Sequence, residues 1–343
     1  MKEENYQVVS TKQEPGKVID VNEILFLSRK EIEGLLSPAD VLDICDKTFK
    51  WINSGDVEQI IGKTLHPTID GVKMADWLLP YPAYIKPLGV AGVKWLSNYW
   101  INIPKGLPFN IAIDILNDAE TGVPIAIMEG MFITSMRTAA HAAVGAKYLA
   151  KRNSEVIAIL GCGFEAAPHL RVMNELFKLK EARVCDLVAS RREKLCEEMG
   201  KELNLNMIPF ESAKETVKSA DIVVELTTSK IPIFEVDWIE PGCYVAGPNV
   251  FGIPPKLSKE VDKWVIGNWE KDLKWVEANP EYSSSDIYGS LDEVAAGKRV
   301  GRETDKEITL MTHYGMGALD VSSMYVVYNM AAKKGIGTRL KLA

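Results

Sequence analysis

The sequence is poor in the residues that build disulfide frameworks, metal centres and membrane spans. Its five cysteines are an odd number with no CxxC pair, and its four histidines are scattered with no HExxH motif. These counts argue against a disulfide framework and a zinc site, and favour reduced thiols in a cytoplasmic compartment. No apolar run approaches the ~18 residues that span a bilayer, and the polar start lacks the apolar core of a signal peptide.

An excess of basic charge is also missing. The formal net charge is −7, from 40 basic and 47 acidic side chains, so the chain presents no general basic field for nucleic acid or anionic lipid. We therefore expect a small-molecule partner, with neither a nucleic acid nor a membrane. What is present is an average globular composition, with 47% apolar and 25% charged residues, over a length of 343 that predicts about two domains.

The first part of the chain predicts helices and an antiparallel sheet. VIDVNEILFLS is strand-like, and a helix is expected between the cap Ser37, with Pro38 at its first position, and the terminator Gly55. Between residues 60 and 128, short apolar runs alternate with Gly, Pro, Asn and Asp, which is typical of a largely antiparallel sheet.

The pattern of residues changes near residue 130. The Ala-rich run ITSMRTAAHAAVGAKYLAKR predicts a helix with Thr134 and Ser135 as cap candidates. Strands from EVIAIL to KWVIGN then alternate with helices, which predicts a parallel, doubly wound sheet. The tail from Glu307 to Leu342 follows the last of these strands, ends in a helix and is expected to pack back on the N-terminal half.

The strongest motif is Gly161-Cys-Gly-Phe-Glu-Ala166, which directly follows a predicted strand and precedes a predicted helix. In a dinucleotide site Gly161 permits the tight turn, Gly163 lets the backbone approach the pyrophosphate, and Ala166 lets the helix pack on the strand. The alternative is an ordinary glycine-rich turn.

Polar residues at the ends of later strands fit the same site. A carboxylate at Asp186 can accept the ribose hydroxyls and favours NAD, whereas the nearby Arg191 and Arg192 could serve the 2′-phosphate of NADP. Thr227 and Thr228 end the fourth strand of the nucleotide unit, where the carboxyl ends of parallel strands face the ligand. A surface-loop role for Asp186 and simple strand-end capping by the threonines are the alternatives.

Lys94 and Arg137 are candidates for substrate binding. Lys94 interrupts an apolar strand, and buried lysines are rare unless they are paired or functional. Arg137 is expected in the first turn of the Ala-rich helix, where its guanidinium could hold a carboxylate. The alternatives are an edge-strand lysine that points to water and a solvated helix arginine.

Several segments, in order, resemble the ornithine cyclodeaminase/μ-crystallin family. They are GVKWLSNYWINIPKGLP, DAETGVP, the Ala-rich helix, GCGFEA, ADIVVELTTS and the closing ITLMTHYGMGALD…KKGIGT, over roughly residues 18–340. The resemblance implies an α/β fold in which a central NAD(P)-binding Rossmann domain joins a discontinuous α/β dimerisation and substrate domain, and it implies a homodimer. We assign residues 131–314 to the first domain, and residues 1–130 and 315–343 to the second.

The departures from the family pattern bear on the reaction. Cyclodeaminases need an acid after the fifth Rossmann strand, but this chain has Gly247-Pro-Asn249, and a neutral Asn249 cannot act as a carboxylate base. Lys63 stands where the family has an arginine. Glu165 replaces a common glutamine, and its charge would oppose the pyrophosphate unless it points away.

The resemblance and the residues together predict an NAD(P)-dependent oxidoreductase that moves a hydride at the α-carbon of an amino acid or its imine, with NAD expected and NADP as the alternative. An ornithine cyclodeaminase and a non-catalytic, crystallin-like nucleotide-binding protein are the competing hypotheses. The predicted catalytic positions are Lys94, Arg137 and Asn249, and the substrate is expected at Lys63, Lys94 and Arg137. The cofactor is expected to contact Thr138, Gly161, Gly163, Phe164, Glu165, Ala166, Asp186, Arg191, Thr227 and Thr228.

Four aromatic residues near the substrate loop have two possible roles. They would enlarge the pocket if they line it, and otherwise they belong to the core or to a dimer interface. They are Trp77, Tyr81, Tyr99 and Trp100.

Overall fold

The computed structural model describes residues 23–60, 62–248 and 250–342. The first half of the chain supplies most of one sheet. Its elements are β1 (Glu23–Leu27), α1 (Arg29–Glu33), α2 (Pro38–Ser54), β2 (Val57–Gln59), β3 (Thr68–Ile69), β4 (Val72–Lys73), β5 (Trp77–Ile85), β6 (Val90–Asn98), β7 (Asn110–Asp118), β8 (Pro124–Glu129) and α3 (Gly130–Leu149).

The second half of the chain alternates strands with helices. Its elements are β9 (Val156–Leu160), α4 (Ala166–Phe177), β10 (Glu181–Cys185), α5 (Ala189–Leu203), β11 (Asn206–Phe210), α6 (Ala213–Val217), β12 (Ile222–Glu225), β13 (Tyr244–Gly247), α7 (Leu257–Glu260), β14 (Lys263–Ile266), α8 (Trp269–Ala278), β15 (Ile287–Ser290), α9 (Leu291–Ala295), β16 (Thr309–Thr312), α10 (Gly317–Lys334) and β17 (Thr338–Lys341).

The first sheet has the strand order β17-β1-β8-β7-β6-β5-β2. Its neighbours run antiparallel except for the β1–β8 pair, which confirms the predicted, largely antiparallel sheet. The register places Lys94 of β6 between Tyr81 of β5 and Asp114 of β7. Three chemically active side chains therefore share one row across the sheet.

Helix α2 has the predicted boundaries. The Ser37 hydroxyl accepts the amide hydrogen of Asp40, Pro38 opens the helix, and Gly55 ends it at a φ of 78°, which a residue with a Cβ rarely adopts. Its buried apolar face packs on α3 and α10, the two helices that lie against the first sheet.

Helix α3 exists as predicted, but its predicted start is wrong. It begins at Gly130, and the Glu129 carboxylate accepts the amide hydrogens of Met131 and Phe132. A carboxylate at a helix N-terminus also interacts favourably with the helix dipole. Thr134 and Ser135 lie inside the helix, so Arg137 lies two turns from its start rather than in the first turn. The small side chains of this buried helix let it pack against elements of both sheets.

The second sheet is parallel throughout, with the order β11-β10-β9-β12-β13-β16-β14-β15. The predicted α/β fold with a Rossmann-like, doubly wound sheet is thereby confirmed. The tail does not simply follow this sheet, because β16 lies within the tail and inserts between β13 and β14. Beyond it, α10 packs on β5 and β6, and β17 pairs with β1 in the first sheet. In the described part of the chain, no helix is both long and apolar enough to cross a membrane.

Candidate active site

Lys94 and Asp320 form a buried ion pair at the centre of the site. The Lys94 Nζ lies 3.0 Å from Oδ1 and 2.9 Å from Oδ2 of Asp320 on α10, and both side chains are fully buried. The alternative of an edge-strand lysine that points to water is therefore wrong. Sequence reasoning missed Asp320, although it ends the quoted segment ITLMTHYGMGALD.

Arg137 joins the same carboxylate. Its Nε donates to Asp320 Oδ1 at 2.7 Å, and the residue is only 4% exposed, which excludes a solvated helix arginine. Asp320 thus holds two cations that come from different elements, β6 and α3. Because the hydrogen bond uses Nε, the terminal guanidinium nitrogens remain the part of Arg137 suited to a two-pronged contact with a carboxylate.

Burial controls the protonation of this cluster. Burial and the Arg137 charge lower the pKa of Lys94 to about 8, against the opposing effect of Asp320. Burial also lowers the pKa of Arg137, but the Asp320 carboxylate outweighs it and the net pKa is raised. Arg137 therefore stays charged at any ordinary pH, whereas Lys94 can exchange a proton near neutrality.

Asp114 is a buried acid that sequence reasoning also missed. It faces Lys94 across the β6–β7 ladder and is fully buried, and neither carboxyl oxygen has a hydrogen-bond partner among the described residues. Burial, reinforced by the negative charge of Asp320, raises its pKa well above the ordinary value. Asp114 is therefore much harder to ionise than a surface aspartate.

The glycine loop lies where the nucleotide motif predicts it. Gly161 has a φ of 102°, and a Cβ there would come within 2.9 Å of the backbone of Leu226 and Thr227. A Cβ at Gly163 would meet nothing within 4 Å, which leaves its backbone open to a ligand. Ala166 opens α4 and is fully buried.

A cleft of about 600 Å³ lies in front of this loop, between the carboxyl ends of β9, β10 and β12. The predicted cofactor residues among its lining are Gly161, Gly163, Asp186, Arg191, Thr227 and Thr228. A glycine turn with an open backbone, a cleft and a carboxylate at its rim together fit a dinucleotide better than an ordinary glycine-rich turn.

Asp186 braces the glycine loop. One carboxylate oxygen accepts the Cys162 amide hydrogen at 2.8 Å and the other accepts that of Val188 at 2.9 Å, so it is more than a surface-loop acid. The Arg192 guanidinium donates to the main-chain oxygen of Asp186. Arg191 instead lines the cleft, so it is the better placed of the two arginines for a 2′-phosphate.

The two threonines differ in their contacts. The Thr227 hydroxyl donates to Glu225 Oε1 at 2.5 Å and accepts the Ser229 amide hydrogen at 3.1 Å, so its side chain serves the strand-end cap. Thr228 is exposed in the cleft. Thr227 therefore caps the strand end, and Thr228 is the threonine placed to contact a ligand.

Other predicted site residues lie at varied positions. Thr138 donates its hydroxyl to Thr134 within α3. Phe164 is 47% exposed and is not among the residues that line the cleft; its ring centroid lies 5.7 Å from the Arg29 guanidinium carbon. Lys63 is exposed in the loop after β2. Within the described residues, nothing joins it to the Lys94 cluster. Asn249 lies outside the described residues.

Glu165 connects the glycine loop with the cation cluster, which is formed by Lys94 and Arg137 around Asp320. Its carboxyl Oε2 is buried and has no hydrogen-bond partner in the described part of the chain. Burial raises its pKa to about 8, and the nearby charges of Arg137 and Lys94 only partly oppose this effect. The side chain therefore holds a proton at neutral pH, which removes the repulsion of the pyrophosphate that its sequence position suggested.

Lys271 of α8 is a third cation that sequence reasoning missed. Its Nζ donates to the Gly315 carbonyl at 3.0 Å and lies 4.8 Å from the ring centroid of Tyr81. The Lys94 Nζ lies 4.6 Å from the same centroid, so Tyr81 belongs to the cation cluster. Trp100, by contrast, is 44% exposed and its ring lies 4.4 Å from that of Phe109.

The histidines are less scattered in space than in sequence. The ring centroids of His141 and His313 are 3.9 Å apart, and both rings are buried close to the cation cluster. Burial lowers both pKa values well below the ordinary value, and it lowers that of His169 to about 4. These rings are neutral packing partners at physiological pH.

Comparison with known proteins places the chain in a family. The model of the ornithine cyclodeaminase/mu-crystallin family matches residues 22–335. The chain belongs to this family. It is 30% identical over 332 residues to an alanine dehydrogenase of Archaeoglobus fulgidus, a match that covers 93% of this chain and 98% of that protein.

Solved structures of similar proteins superpose closely. One is the Thermococcus litoralis Δ1-pyrroline-2-carboxylate reductase in complex with NADH and L-proline, with a TM-score of 0.85, 29% identity, and coverage of 92% of this chain and 99% of that one. Another is an archaeal alanine dehydrogenase dimer with bound NAD, with a TM-score of 0.84, 28% identity, and coverage of 94% and 100%.

Proposed function

We propose that this family member is an NAD(P)-dependent oxidoreductase that transfers a hydride at the α-carbon of an amino acid or its imine. The observation that carries the proposal is the meeting of two sites at Glu165. This residue belongs to the dinucleotide loop and precedes α4, which packs on α3, the helix that carries Arg137. The charges of Arg137 and Lys94 act on its carboxyl. The relatives named above as alanine dehydrogenase and pyrroline-2-carboxylate reductase, solved with NAD and NADH, support the same chemistry.

The cofactor is held by the residues around the glycine loop. Gly161 and Gly163 bring the backbone and the N-terminus of α4 to the pyrophosphate, and Asp186 accepts ribose hydroxyls, which favours NAD. Bound NAD(P) supplies the hydride acceptor or donor. Arg191 on the cleft wall is the residue that would accommodate NADP.

The substrate is held by the cation cluster. Arg137 remains charged and binds the α-carboxylate through its terminal nitrogens, and Lys63 is the candidate for an additional contact from the loop after β2. With a pKa of about 8, Lys94 accepts a proton at the α-amino centre during oxidation and returns it during reduction. Asp320 positions both cations.

A direct assay tests this proposal. The purified protein is mixed with NADH or NADPH, ammonium and a panel of α-keto acids, and separately with cyclic imines. We expect loss of absorbance at 340 nm with at least one class and formation of the amino acid. Proline and ammonia formed from ornithine without net NADH would instead indicate a cyclodeaminase. Cofactor binding without any turnover would indicate a non-catalytic nucleotide-binding protein.

We also propose that the protein forms a homodimer through the uncovered face of the first sheet. Trp95 is 39% exposed and pairs in register with Ile113, which is 51% exposed, and Ile111 is 46% exposed on the same strand as Ile113. A contiguous exposed apolar patch of this kind marks an association surface. The archaeal alanine dehydrogenase was solved as a dimer.

We also propose that each sheet belongs to a domain with its own role. Residues 131–314 form the nucleotide-binding domain, and residues 1–130 with 315–343 form the substrate and dimerisation domain, because α10 and β17 return to the first sheet. A cytoplasmic location is consistent with free thiols at all five cysteines.

A further inference from the structure

Lys271 lies where a ligand is expected but plays no part in the mechanism described above. It belongs to α8, which follows the carboxyl end of β14, and its ammonium donates to Gly315 just beyond the carboxyl end of β16. Ligands of doubly wound folds bind at this edge of the parallel sheet. The side chain also contacts Tyr81, which comes from the other sheet.

The Lys271 ammonium has no carboxylate in direct contact among the described residues. Among the described residues no ion pair involves Lys271, whose hydrogen bond goes to a neutral carbonyl. The adjacent Asp272 is buried and turns back on its own helix, where it accepts the Asn268 amide hydrogen at 3.0 Å. Burial lowers the pKa of Lys271 to about 8, and the nearby charge of Asp272 only partly opposes this effect.

Three cations lie close together here, and two of them contact the same carboxylate. Lys94 and Arg137 share the single carboxylate of Asp320. Gly315 connects this group to Lys271, since a Cβ built on Gly315 would lie 3.0 Å from an Arg137 terminal nitrogen. One substrate carboxylate complements the Lys94–Arg137 pair, and the Lys271 ammonium then still has no carboxylate in direct contact.

We propose that Lys271 binds a second carboxylate on the substrate, so that the preferred substrate is an α-amino acid, or its imine, with an acidic side chain. The ammonium groups of Lys271 and Lys94 each lie within 5 Å of the Tyr81 ring centroid. Gly315 lies between Lys271 and the Arg137 guanidinium, so a four- or five-carbon amino acid held at Arg137 by its α-carboxylate can present its second carboxylate to Lys271. This inference rests on the proposed function and adds the substrate class to it.

Matched keto acids test the assignment. Reductive amination is measured with oxaloacetate against 2-oxobutanoate, and with 2-oxoglutarate against 2-oxopentanoate. We expect kcat/KM to be at least tenfold higher for one acidic member than for its neutral partner. In Lys271→Met this ratio should fall close to one, mainly through a higher KM for the acid, while Lys271→Arg should retain much of the preference.

Lys274→Met is the matched control, because Lys274 lies on the same helix with its side chain 68% exposed and only a 3.8 Å contact to Glu270. It should keep the wild-type ratio. Equal turnover of acidic and neutral partners by the wild type overturns the inference and leaves the proposed function intact. An equal loss for both partners in Lys271→Met identifies a structural lysine and also overturns the inference. Absence of turnover with all four keto acids overturns the inference, and absence of turnover with the cyclic imines as well defeats the proposed function too.

Discussion

The Lys94 ammonium contacts both carboxylate oxygens of Asp320, at 2.9 Å and 3.0 Å, although the two residues are 226 positions apart in the sequence. Neither side chain is exposed to solvent, and Asp320 also accepts from Arg137. The cluster thereby joins the first sheet, helix α3 and the C-terminal helix α10. Its stability and its chemistry consequently depend on the same carboxylate.

Replacing Asp320 with Asn should destabilise the protein strongly. The substitution leaves Lys94 and Arg137 buried together without a counter-charge, and breaking a buried ion pair in this way costs about 3–5 kcal/mol. The free energy of unfolding is measured by urea titration with tryptophan fluorescence. Asp43→Asn is the control, since it removes only an exposed pair with Lys47 and should have a far smaller effect. Equal stability of the two variants would contradict the role of Asp320.

The pH dependence of the reaction should report Lys94. Its pKa is about 8, below the ordinary 10.5, because burial and Arg137 disfavour the ammonium. Oxidation of an amino acid requires the neutral amine of Lys94 as proton acceptor, so kcat/KM for oxidation should rise as the pH increases through about 8. Reduction requires the Lys94 ammonium as proton donor, so kcat/KM for reduction should fall over the same pH range. Profiles measured in both directions check this, and a shared slope of one sign would exclude Lys94 as the proton carrier.

The same shift has a consequence for stability. Between about pH 8 and 10.5 the unfolded chain binds a proton on Lys94 that the folded protein lacks. This group alone therefore makes the unfolding free energy increase as the pH rises through that interval. In the variant Lys94→Met, which carries no titratable group at this position, that component of the increase should be absent from urea titrations at successive pH values.

Local signals made part of this structure predictable. The boundaries of α2 follow from Ser37, Pro38 and Gly55, whose effects need no distant partner. The glycine loop was predictable because its motif stands between a strand and a helix. The start of α3 was not, since the hydroxyl residues Thr134 and Ser135 are common caps, but the carboxylate of Glu129 takes that role.

The centre of the site depends on contacts between remote segments. Lys94 and Arg137 were identifiable because a charged residue in an apolar setting needs a reason, but their shared partner Asp320 comes from the last helix. Lys271 and Lys274 are both lysines of one short helix, and no local pattern tells them apart. Only the packing of α8 beside Tyr81 half-buries the first and leaves the second in water.

Glu165→Gln should remove a pH dependence from cofactor binding. The pKa of Glu165 is raised to about 8 by burial, so the carboxyl is neutral at pH 7 and becomes an anion in the glycine loop above pH 8. NADH affinity of the parent should therefore fall several-fold between pH 7 and 9, whereas the variant should lose little. Kd values from NADH fluorescence titrations check this prediction, and parallel curves for the two proteins would contradict it.

Glu165 also predicts a stability change with the opposite sign to that of Lys94. Because the folded pKa lies above the ordinary 4.5, the folded protein retains a proton that the unfolded chain releases between about pH 4.5 and 8. The contribution of this group to stability is therefore lost as the pH rises through that interval. The free energy of unfolding measured by urea titration should therefore fall less between pH 5 and pH 8 in Glu165→Gln than in the parent.

Asp186→Asn should weaken the preference for NADH over NADPH. The Asp186 carboxylate at the cleft rim repels a 2′-phosphate, and loss of one unfavourable charge contact of about 1.4 kcal/mol changes the Kd ratio roughly tenfold. The variant also gives up one of the two amide contacts that brace the loop, so NADH affinity itself should fall. Arg191→Gln is the complementary variant and should weaken NADPH binding alone. An unchanged Kd ratio in Asp186→Asn would remove this residue from cofactor selection.

The exposed face of the first sheet should mediate dimer formation. Ile113 is 51% exposed and opposite Trp95, so Ile113→Asp is tolerated by the folded protomer but places a charge within the proposed dimer interface. Light scattering should show a dimer for the parent and a particle near 38.1 kDa for the variant. Ile231→Asp changes an isoleucine that is 71% exposed outside this sheet and should remain dimeric. A parent that is already monomeric would exclude the dimer, and an Ile113→Asp protein that stays dimeric would place the interface elsewhere. Dissociation of the variant is expected because an aspartate buried at the centre of an apolar interface has no partner to offset its desolvation.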